Sequence, residues 1–408
     1  MKVLVISGAF PPMRLGEATN ALHLCQHLAD SGLNVHVLTS HLNTVVDDPR
    51  IKIYPIMQDW SWSEMHRFRR FVKRCAPDAI LLMYIGGVIY NHHPMITFAP
   101  TMTKSLLPHV PFVTRFESAY RTSPPIRPSL PTRIARKGMV LWAGREDVHP
   151  KFGTLLRDSD HVVVLCELHQ ALLSKGFAGI GSKSVLIPPP PNMIIVPENN
   201  GLSRRRGREM LALKPDEFVV AYMGYIYRKK GIETLLEAFQ IVRNKNDNVR
   251  LLMIGGSVDS KIPNSSSYFD QIHTFAKALK IDDQIIWTGE YTWDDQNVSF
   301  YLHAADVCVL PFIKGVHLNN SSLSSAAAHS LPIITTQGKM LDQPLIDKQN
   351  VLLCPANEPG AIADAITLLI ENSDLRKHLK IGARNLAQEW FSWEKAIDRT
   401  IAAFTHPR

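Results

Sequence analysis

The sequence predicts an α/β protein made of two halves, each with a parallel sheet, and three observations carry that prediction. The chain has 408 residues, more than one hydrophobic core commonly serves, so two domains are expected. It opens with a strand, a loop, a helix and a second strand, the order that calls for a crossover and parallel pairing. After four consecutive prolines at residues 188–191, the same alternation begins again.

Apolar residues make up 45% of the chain and charged residues 20%. That balance describes a globular protein without a disordered tract, and no apolar run is long enough to span a bilayer. The start, MKVLVISGAF, reads as a first strand rather than a signal peptide. The five cysteines (Cys25, Cys75, Cys166, Cys308, Cys354) show no C-x-x-C and no metal-type spacing, so they read as reduced core residues of a cytoplasmic protein. A formal charge of +8 favours anionic partners such as nucleotide phosphates or acidic lipid headgroups. Nucleic acid is not expected, since no RNP motif, zinc finger or basic zipper is present.

In chain order, residues 2–7 form an apolar strand, followed by a loop from Gly8 to Gly16. The spacing predicts a helix over about 17–31, with Ala21, Leu24, Cys25 and Leu28 on one face and Gly32 closing it. Residues 35–39 are the second strand. The first loop lacks G-x-G-x-x-G, which argues against a dinucleotide-binding domain. A longer loop there suits a ligand at the carboxyl edge of the sheet. Further strands are expected at 51–56, 79–84, 112–114 and 162–165. Between the first two, Met65, Phe68, Phe71, Val72 and Cys75 share one helical face, while His66, Arg67, Arg69, Arg70, Lys73 and Arg74 share the other. That pattern fits an in-plane contact with an anionic membrane surface. It also fits the solvated outer side of a helix that covers the sheet.

The stretch SVLIPPPPNMIIVP at 184–197 cannot continue a helix or a central strand and predicts a stiff, extended connector. After a basic segment at 203–208, strands are expected at 218–222, 249–254, 285–288, 306–310 and near Ile333. Helices are expected at 232–243, 269–279, 295–304, 360–371 and 374–391. The domains are therefore read as 1–187, a linker at 188–200, and 201–389, with ligand between the halves at the carboxyl ends of both sheets.

The second half is organised around residues 310–336. A buried strand runs into a loop, a helix opens near Asn320 and Ser321, and small residues continue it. A strand, a loop and a helix N-terminus with unsatisfied N–H groups make a phosphate site; an ordinary capped helix packed closely through Ala and Ser makes the same pattern.

These segments resemble the retaining glycosyltransferases of family 4. FPPMRLGEATNALHLCQHLADSGLNVHVLTS resembles that family's first loop, helix and second strand, and MGYIYRKKGIETLLEAF its phosphate-binding loop and following helix. HAADVCVLPFIKGVHLNNSSLSSAAAHSLPIITT resembles its donor-site segment, and PPPPN stands at its interdomain linker. FSWEKAIDRTIAAF resembles the terminal helix, about 390–408, that returns to the first domain. The resemblance implies the GT-B fold, two Rossmann-like doubly wound domains facing a cleft. It further implies transfer of a sugar from a nucleoside-diphosphate sugar, without a metal cofactor, to a hydroxyl of a glycan, lipid or small metabolite. Gly16 would allow close backbone approach to donor phosphate or acceptor. Arg228 and Lys230 would neutralise the diphosphate leaving group. Gly224, Asn319, Asn320, Ser325 and the N–H groups around Ser321, Ser322 and Leu323 would hold the donor. Such a protein is expected in the cytoplasm or peripherally at the inner membrane face.

The sequence also departs from the family. Its two glutamates in an E-x7-E pattern are replaced here by His317 and Ser325. A branch with G-x-x-L-R-R-x-S-L also lacks them, but Asn319-Asn320 stands in place of its arginine pair. Where the family often ends a first-domain strand with His, this chain has Phe116 and Glu117. Glu117 would orient an acceptor hydroxyl or pair with Arg115 or Arg121. Asn320 would bind sugar or phosphate, or only cap the helix. His92-His93 would line the acceptor side or be structural. Asp158-Ser159-Asp160 matches a metal-binding D-x-D but precedes its strand instead of ending it, so it reads as a turn, and Asp294-Asp295 reads as a helix start. The alternative to a transferase is a protein of this fold that binds nucleotide-sugar or a partner without catalysis.

Overall fold

The computed structural model describes residues 1–42, 44, 46–86, 89–90, 94–119, 129–257 and 265–405. His92, His93 and Arg121 lie outside the described residues. The chain divides into two compact units, Met1–Pro188 with Trp393–Arg408, and Pro189–Ser392.

The first unit is built on seven strands: β1 (Lys2–Ser7), β2 (Asn34–Ser40), β3 (Ile51–Met57), β4 (Ala79–Tyr84), β5 (Phe112–Phe116), β6 (His161–Val164) and β7 (Ser184–Leu186). All pairs are parallel, in the order β3-β2-β1-β4-β5-β6-β7. The second unit has β8 (Phe218–Met223), β9 (Val249–Ile254), β10 (Ile285–Gly289), β11 (Val307–Leu310), β12 (Ile333–Gln337) and β13 (Leu352–Pro355). They are again parallel, ordered β10-β9-β8-β11-β12-β13. Both sheets are doubly wound, with helices on both faces, which is why strands such as Val3 to Ile6 are apolar and buried throughout. Each has its own core, one around Leu4, Phe68, Leu82 and Phe112, the other around Val220, Leu236, Leu251 and Ile366. The strand order reverses between β1 and β4 and between β8 and β11, and ligands of such sheets bind at the carboxyl edge of these switch points.

Several boundaries differ from the sequence expectation. The strands β7 and β13 have three and four residues and are too short to leave a periodic signal. The basic segment near 203–208 is the helix Leu202–Met210. Two of its charges are structural: Arg204 reaches Asp306 at 2.6 Å, and Arg208 donates to the Ala304 carbonyl at 3.2 Å. Helix 295–304 begins later, at Asn297, because the Asp295 carboxylate accepts the Asn297 N–H and holds the chain in a turn.

In the helix Met65–Cys75, Phe68 and Val72 are buried and Met65, Phe71 and Cys75 pack on the same core. Its apolar stripe is thus consumed by the sheet and its cations face outward, which leaves no apolar side chain of this helix to enter a bilayer. Among the described residues, no helix is long and apolar enough to cross a membrane. The helix Trp393–Thr405 belongs to the first unit, where Trp393 stacks on His27 with centroids 4.4 Å apart. All five cysteines are free, and all but Cys75 are buried.

Candidate functional site

The carboxyl ends of β8 and β11, at the switch point of the second unit, carry most of the residues singled out in the sequence. Beyond β8 the chain turns at Gly224, whose φ of +132° favours glycine. Its N–H donates to the Ile254 carbonyl at 2.9 Å, and the Ile226 N–H donates to Gly256 at 2.9 Å, so the loop is pinned against the end of β9. A turn closed by the Lys230 N–H on the Tyr227 carbonyl then leads to Gly231 and the helix Ile232–Arg243.

The loop beyond β11 runs beside it. A Cβ on Gly231 would stand 1.9 Å from the Pro311 carbonyl oxygen, so the two backbones touch there. The Lys230 ammonium lies 4.9 Å from the Phe312 ring centroid, within cation–π range. The β11 loop is held by β12: Thr336 Oγ1 donates to the Phe312 carbonyl at 2.5 Å, and the Val316 N–H to Thr336 at 2.8 Å. Asp342, fully buried, accepts the Leu318 N–H at 2.6 Å. The same carboxylate stands 3.4 Å from His317 Nδ1, without hydrogen-bond geometry.

Asn320 then starts the helix Ser321–Ala328. Its backbone is extended and its carbonyl accepts the N–H groups of Leu323 (3.0 Å) and Ser324 (3.2 Å), but its side chain makes no capping bond. The N–H groups of Ser321 and Ser322 precede the first intrahelical bond and carry the positive end of the helix dipole. A Cβ on Gly224 would lie 2.8 Å from Ser322 Oγ, which places this N-terminus directly against the β8 turn. At its other end the helix is fixed by His329. Its Nδ1 bonds the Ser325 carbonyl at 2.8 Å and its Nε2 the Ser299 hydroxyl at 2.7 Å. Burial pulls the His329 pKa down to about 3, so the ring is neutral at physiological pH.

The structure therefore brings together Gly224, Lys230, Asn319, Asn320, Ser321, Ser322 and Leu323 on two adjoining loops and one helix start. An ammonium and a helix N-terminus carried by adjoining loops are groups suited to a phosphate or diphosphate. Arg228 points elsewhere: it is exposed, bonds Gln271 Oε1 at 2.8 Å and stacks over Tyr268 on the helix Ser265–Ala278. Ser325 is buried inside the helix Ser321–Ala328. Its Oγ has no hydrogen-bond partner among the described residues.

Gly16 and Glu117 belong to the first unit. Gly16 opens the helix Gly16–Asp30, whose Asn20 accepts from Arg115 at 2.8 Å. Arg115 in turn pairs with Glu117 at 2.6 Å, both side chains being buried. The alternatives of Arg115 and an acceptor for Glu117 thus have one geometric partner in place, Arg115. The carboxylates of the D-x-D segment are engaged in packing: Asp158 accepts from Thr101 at 2.5 Å and pairs with Arg157, and Asp160 pairs with Lys104 at 2.7 Å. No group of three His, Cys, Asp or Glu suited to a metal occurs among the described residues. Asp342 is the residue that sequence reasoning missed. It acts on the loop from 24 positions away, and a lone Asp after a strand carries no local signal.

The chain is similar to known proteins in fold and, over part of its length, in sequence. In fold, the chain is similar to the sucrose-phosphate synthase of Thermosynechococcus elongatus, with a TM-score of 0.69 at 18% identity, covering 98% of both chains. It is likewise similar to the Anabaena protein HepE in complex with UDP, with a TM-score of 0.68 at 12% identity and 98% of both chains covered. In sequence, it is 26% identical over 179 residues to an uncharacterized glycosyltransferase of Methanocaldococcus jannaschii, covering 44% of this chain and 42% of that one. The chain spans about half the length of the curated relatives it matches. Residues 203–386, within the unit that holds the Lys230 loop and the Ser321 helix start, match the family model described as glycosyl transferases group 1, and the fold of the two units is of the GT-B class.

Proposed function

We propose that this chain is a glycosyltransferase that moves a sugar from a nucleoside-diphosphate sugar to a hydroxyl of a glycan, lipid or small metabolite. The observation that carries the reading is that the loop bearing Lys230 adjoins the loop beyond β11 at Gly231 and Pro311, and meets the uncapped start of the helix Ser321–Ala328 at Gly224 and Ser322, at the switch point of the second sheet. Breaking the glycosidic bond of such a donor places growing negative charge on the diphosphate. A fixed cation and oriented N–H groups lower the barrier because they meet that charge without reorganising. Asn319 and Asn320 would add neutral hydrogen bonds to phosphate or sugar. The anomeric configuration is retained in this proposal, as in the family the sequence resembles, and the step uses no metal. UDP is the first nucleoside diphosphate to test, because the Anabaena neighbour is a UDP complex.

The test is a thermal-shift series with UDP, GDP, ADP, CDP and dTDP on the wild type and on Lys230→Ala. A ligand that binds only the folded state at a hundred times its Kd adds about 2.7 kcal/mol, which corresponds to a rise of roughly 5–10 °C for a unit of this size. One diphosphate should raise the melting temperature of the wild type and fail to do so in the variant, whose own unliganded melting temperature stays within about 1–2 °C. No response of the wild type to any diphosphate would overturn the proposal. Product anomer, read by proton NMR after an acceptor is found, decides retention.

One observation favours a second reading, nucleotide-sugar binding without transfer. Glu117, the carboxylate singled out for acceptor chemistry, is held by Arg115, and His317 and Ser325 stand where the family has its glutamates. Tight diphosphate binding with neither donor hydrolysis nor transfer would select that reading.

A further inference from the structure

The helix Leu130–Ala143 in the first unit wears its apolar residues on the outside. Leu130, Ile134, Leu141 and Trp142 are 66%, 62%, 60% and 49% exposed. Elsewhere among the described residues exposed large hydrophobic side chains stand singly or, as Leu202 and Met210, at the two ends of one helix, which is normal; four on one helix of 14 residues are not. Their spacing decides how they sit. Ile134 follows Leu130 by four positions and Leu141 follows Ile134 by seven, so all three fall on one line along the helix. Met139 is buried, and Val140 and Ala143 pack on the core from the opposite side. The helix is thus anchored by its inner face and presents a second apolar stripe outward.

Charge says what fits that stripe. The helix carries Arg133, Arg136 and Lys137 and no acidic residue. Arg133 and Lys137 are exposed beside the stripe, while Arg136 turns inward to the Pro150 carbonyl. On the other flank, Arg69 of the helix Met65–Cys75 lies over the Trp142 ring, 5.8 Å from its centroid. That contact joins the stripe to a face with Arg70, Lys73 and Arg74 exposed and no acid between Met65 and Cys75. The acidic pair Glu146 and Asp147 follows only beyond Gly144 and Arg145. A second copy of this face would bring cations against cations, and an apolar peptide has no use for them.

We infer that the helix Leu130–Ala143 is a docking surface for an anionic lipid bilayer. Leu130, Ile134, Leu141 and Trp142 enter the headgroup–acyl boundary, and Arg133, Lys137 and the outer face of Met65–Cys75 meet the lipid phosphates. The roles foreseen for one amphipathic helix are divided between two: the helix Met65–Cys75 keeps its apolar side in the core and supplies charge, and the helix Leu130–Ala143 supplies the insertion. The inference stands apart from the catalytic reading, because binding is measured without donor or acceptor.

The experiment is co-sedimentation of the full chain with vesicles of phosphatidylcholine alone and of phosphatidylcholine with 30% phosphatidylglycerol. The wild type should bind the anionic vesicles and be released by raised salt, since exposed charges are screened within about 8–10 Å. Ile134→Asp with Leu141→Asp should weaken binding by at least about tenfold. Lys137→Glu should weaken it about fivefold or more on anionic vesicles only. All three positions are exposed, so thermal unfolding should stay near wild type, and Ile134→Ser serves as a milder variant if the double one misfolds. Unaltered binding by Ile134→Asp with Leu141→Asp would overturn the inference. So would absence of wild-type binding to anionic vesicles, or wild-type dimers that the double variant converts to monomers while vesicles are ignored. Free glycerol phosphate that competes as well as vesicles would also overturn it, by showing an anion site in place of a surface.

Discussion

At Gly231 the backbone has φ +72°, and a Cβ would press on the main chain at Pro311. Neither the strain nor the clash can be relieved by rotating a side chain. Gly231→Ala should therefore cost at least about 2 kcal/mol, seen as a lower urea midpoint with an unchanged slope. Gly224 shares the strain, with φ +132°, but the atom its Cβ would meet is the Ser322 side-chain hydroxyl instead of backbone. Glu117 sets the opposite kind of test. Removing its charge leaves the Arg115 guanidinium buried and unpaired, and Glu117→Gln should lose about 3–5 kcal/mol of stability. Unchanged stability with lost turnover would instead assign Glu117 to the acceptor. These residues also show what a sequence discloses about a site. Glycines and a lysine clustered between a strand and a helix are visible because they are local. The divergence of Arg228 toward Gln271 and of Lys230 toward Phe312 is invisible, because it depends on what two other segments place nearby.

Among elements, the docking of the helix Trp393–Thr405 should be coupled to pH. Trp393 stacks on His27 and lies 6.2 Å from His23 on the helix Gly16–Asp30. Burial lowers the pKa of His23 to about 4 and also lowers that of His27. A histidine kept neutral by folding binds its proton more readily in the unfolded chain. Its contribution is complete above pH 6.5 and is lost as the pH falls toward 4, which for His23 amounts to about 3 kcal/mol. Urea stability should thus decline between pH 7 and pH 4.5. Trp393→Ala should be less stable at pH 7 and show a shallower decline, because it opens His23 to water. A parallel decline in both proteins would mean that His23 is not the coupled group. Legibility varied with the same physics. Helix 232–243 alternates buried and solvent faces and is plain in the sequence. The helix Leu130–Ala143 is apolar on its outer side too, and this blurs the period by which a helix is recognised.

For the whole molecule, the two cores have no residue in common, yet only the second unit is continuous in sequence. The repeat of strand and helix periods on either side of four prolines made this duplication readable. The return of the helix Trp393–Thr405 to the first unit is a contact between residues 366 positions apart, Trp393 and His27; the resemblance of FSWEKAIDRTIAAF to a family's terminal helix implies it, while no periodicity encodes the pairing. It predicts an asymmetry between fragments. Residues 189–392 contain a complete six-stranded sheet, its helices, Lys230 and the helix start at Ser321, so this fragment should fold alone and bind the same diphosphate as the full chain. Residues 1–188 leave the His23 and His27 face of their first helix uncovered, so they should melt lower or aggregate until the peptide 393–408 is supplied. Circular dichroism melts and diphosphate titrations of the two fragments check both halves of the argument. If 189–392 folds but does not bind the diphosphate that the full chain binds, the phosphate site needs groups from the first unit, and Gly16 with its loop is the place to look for them.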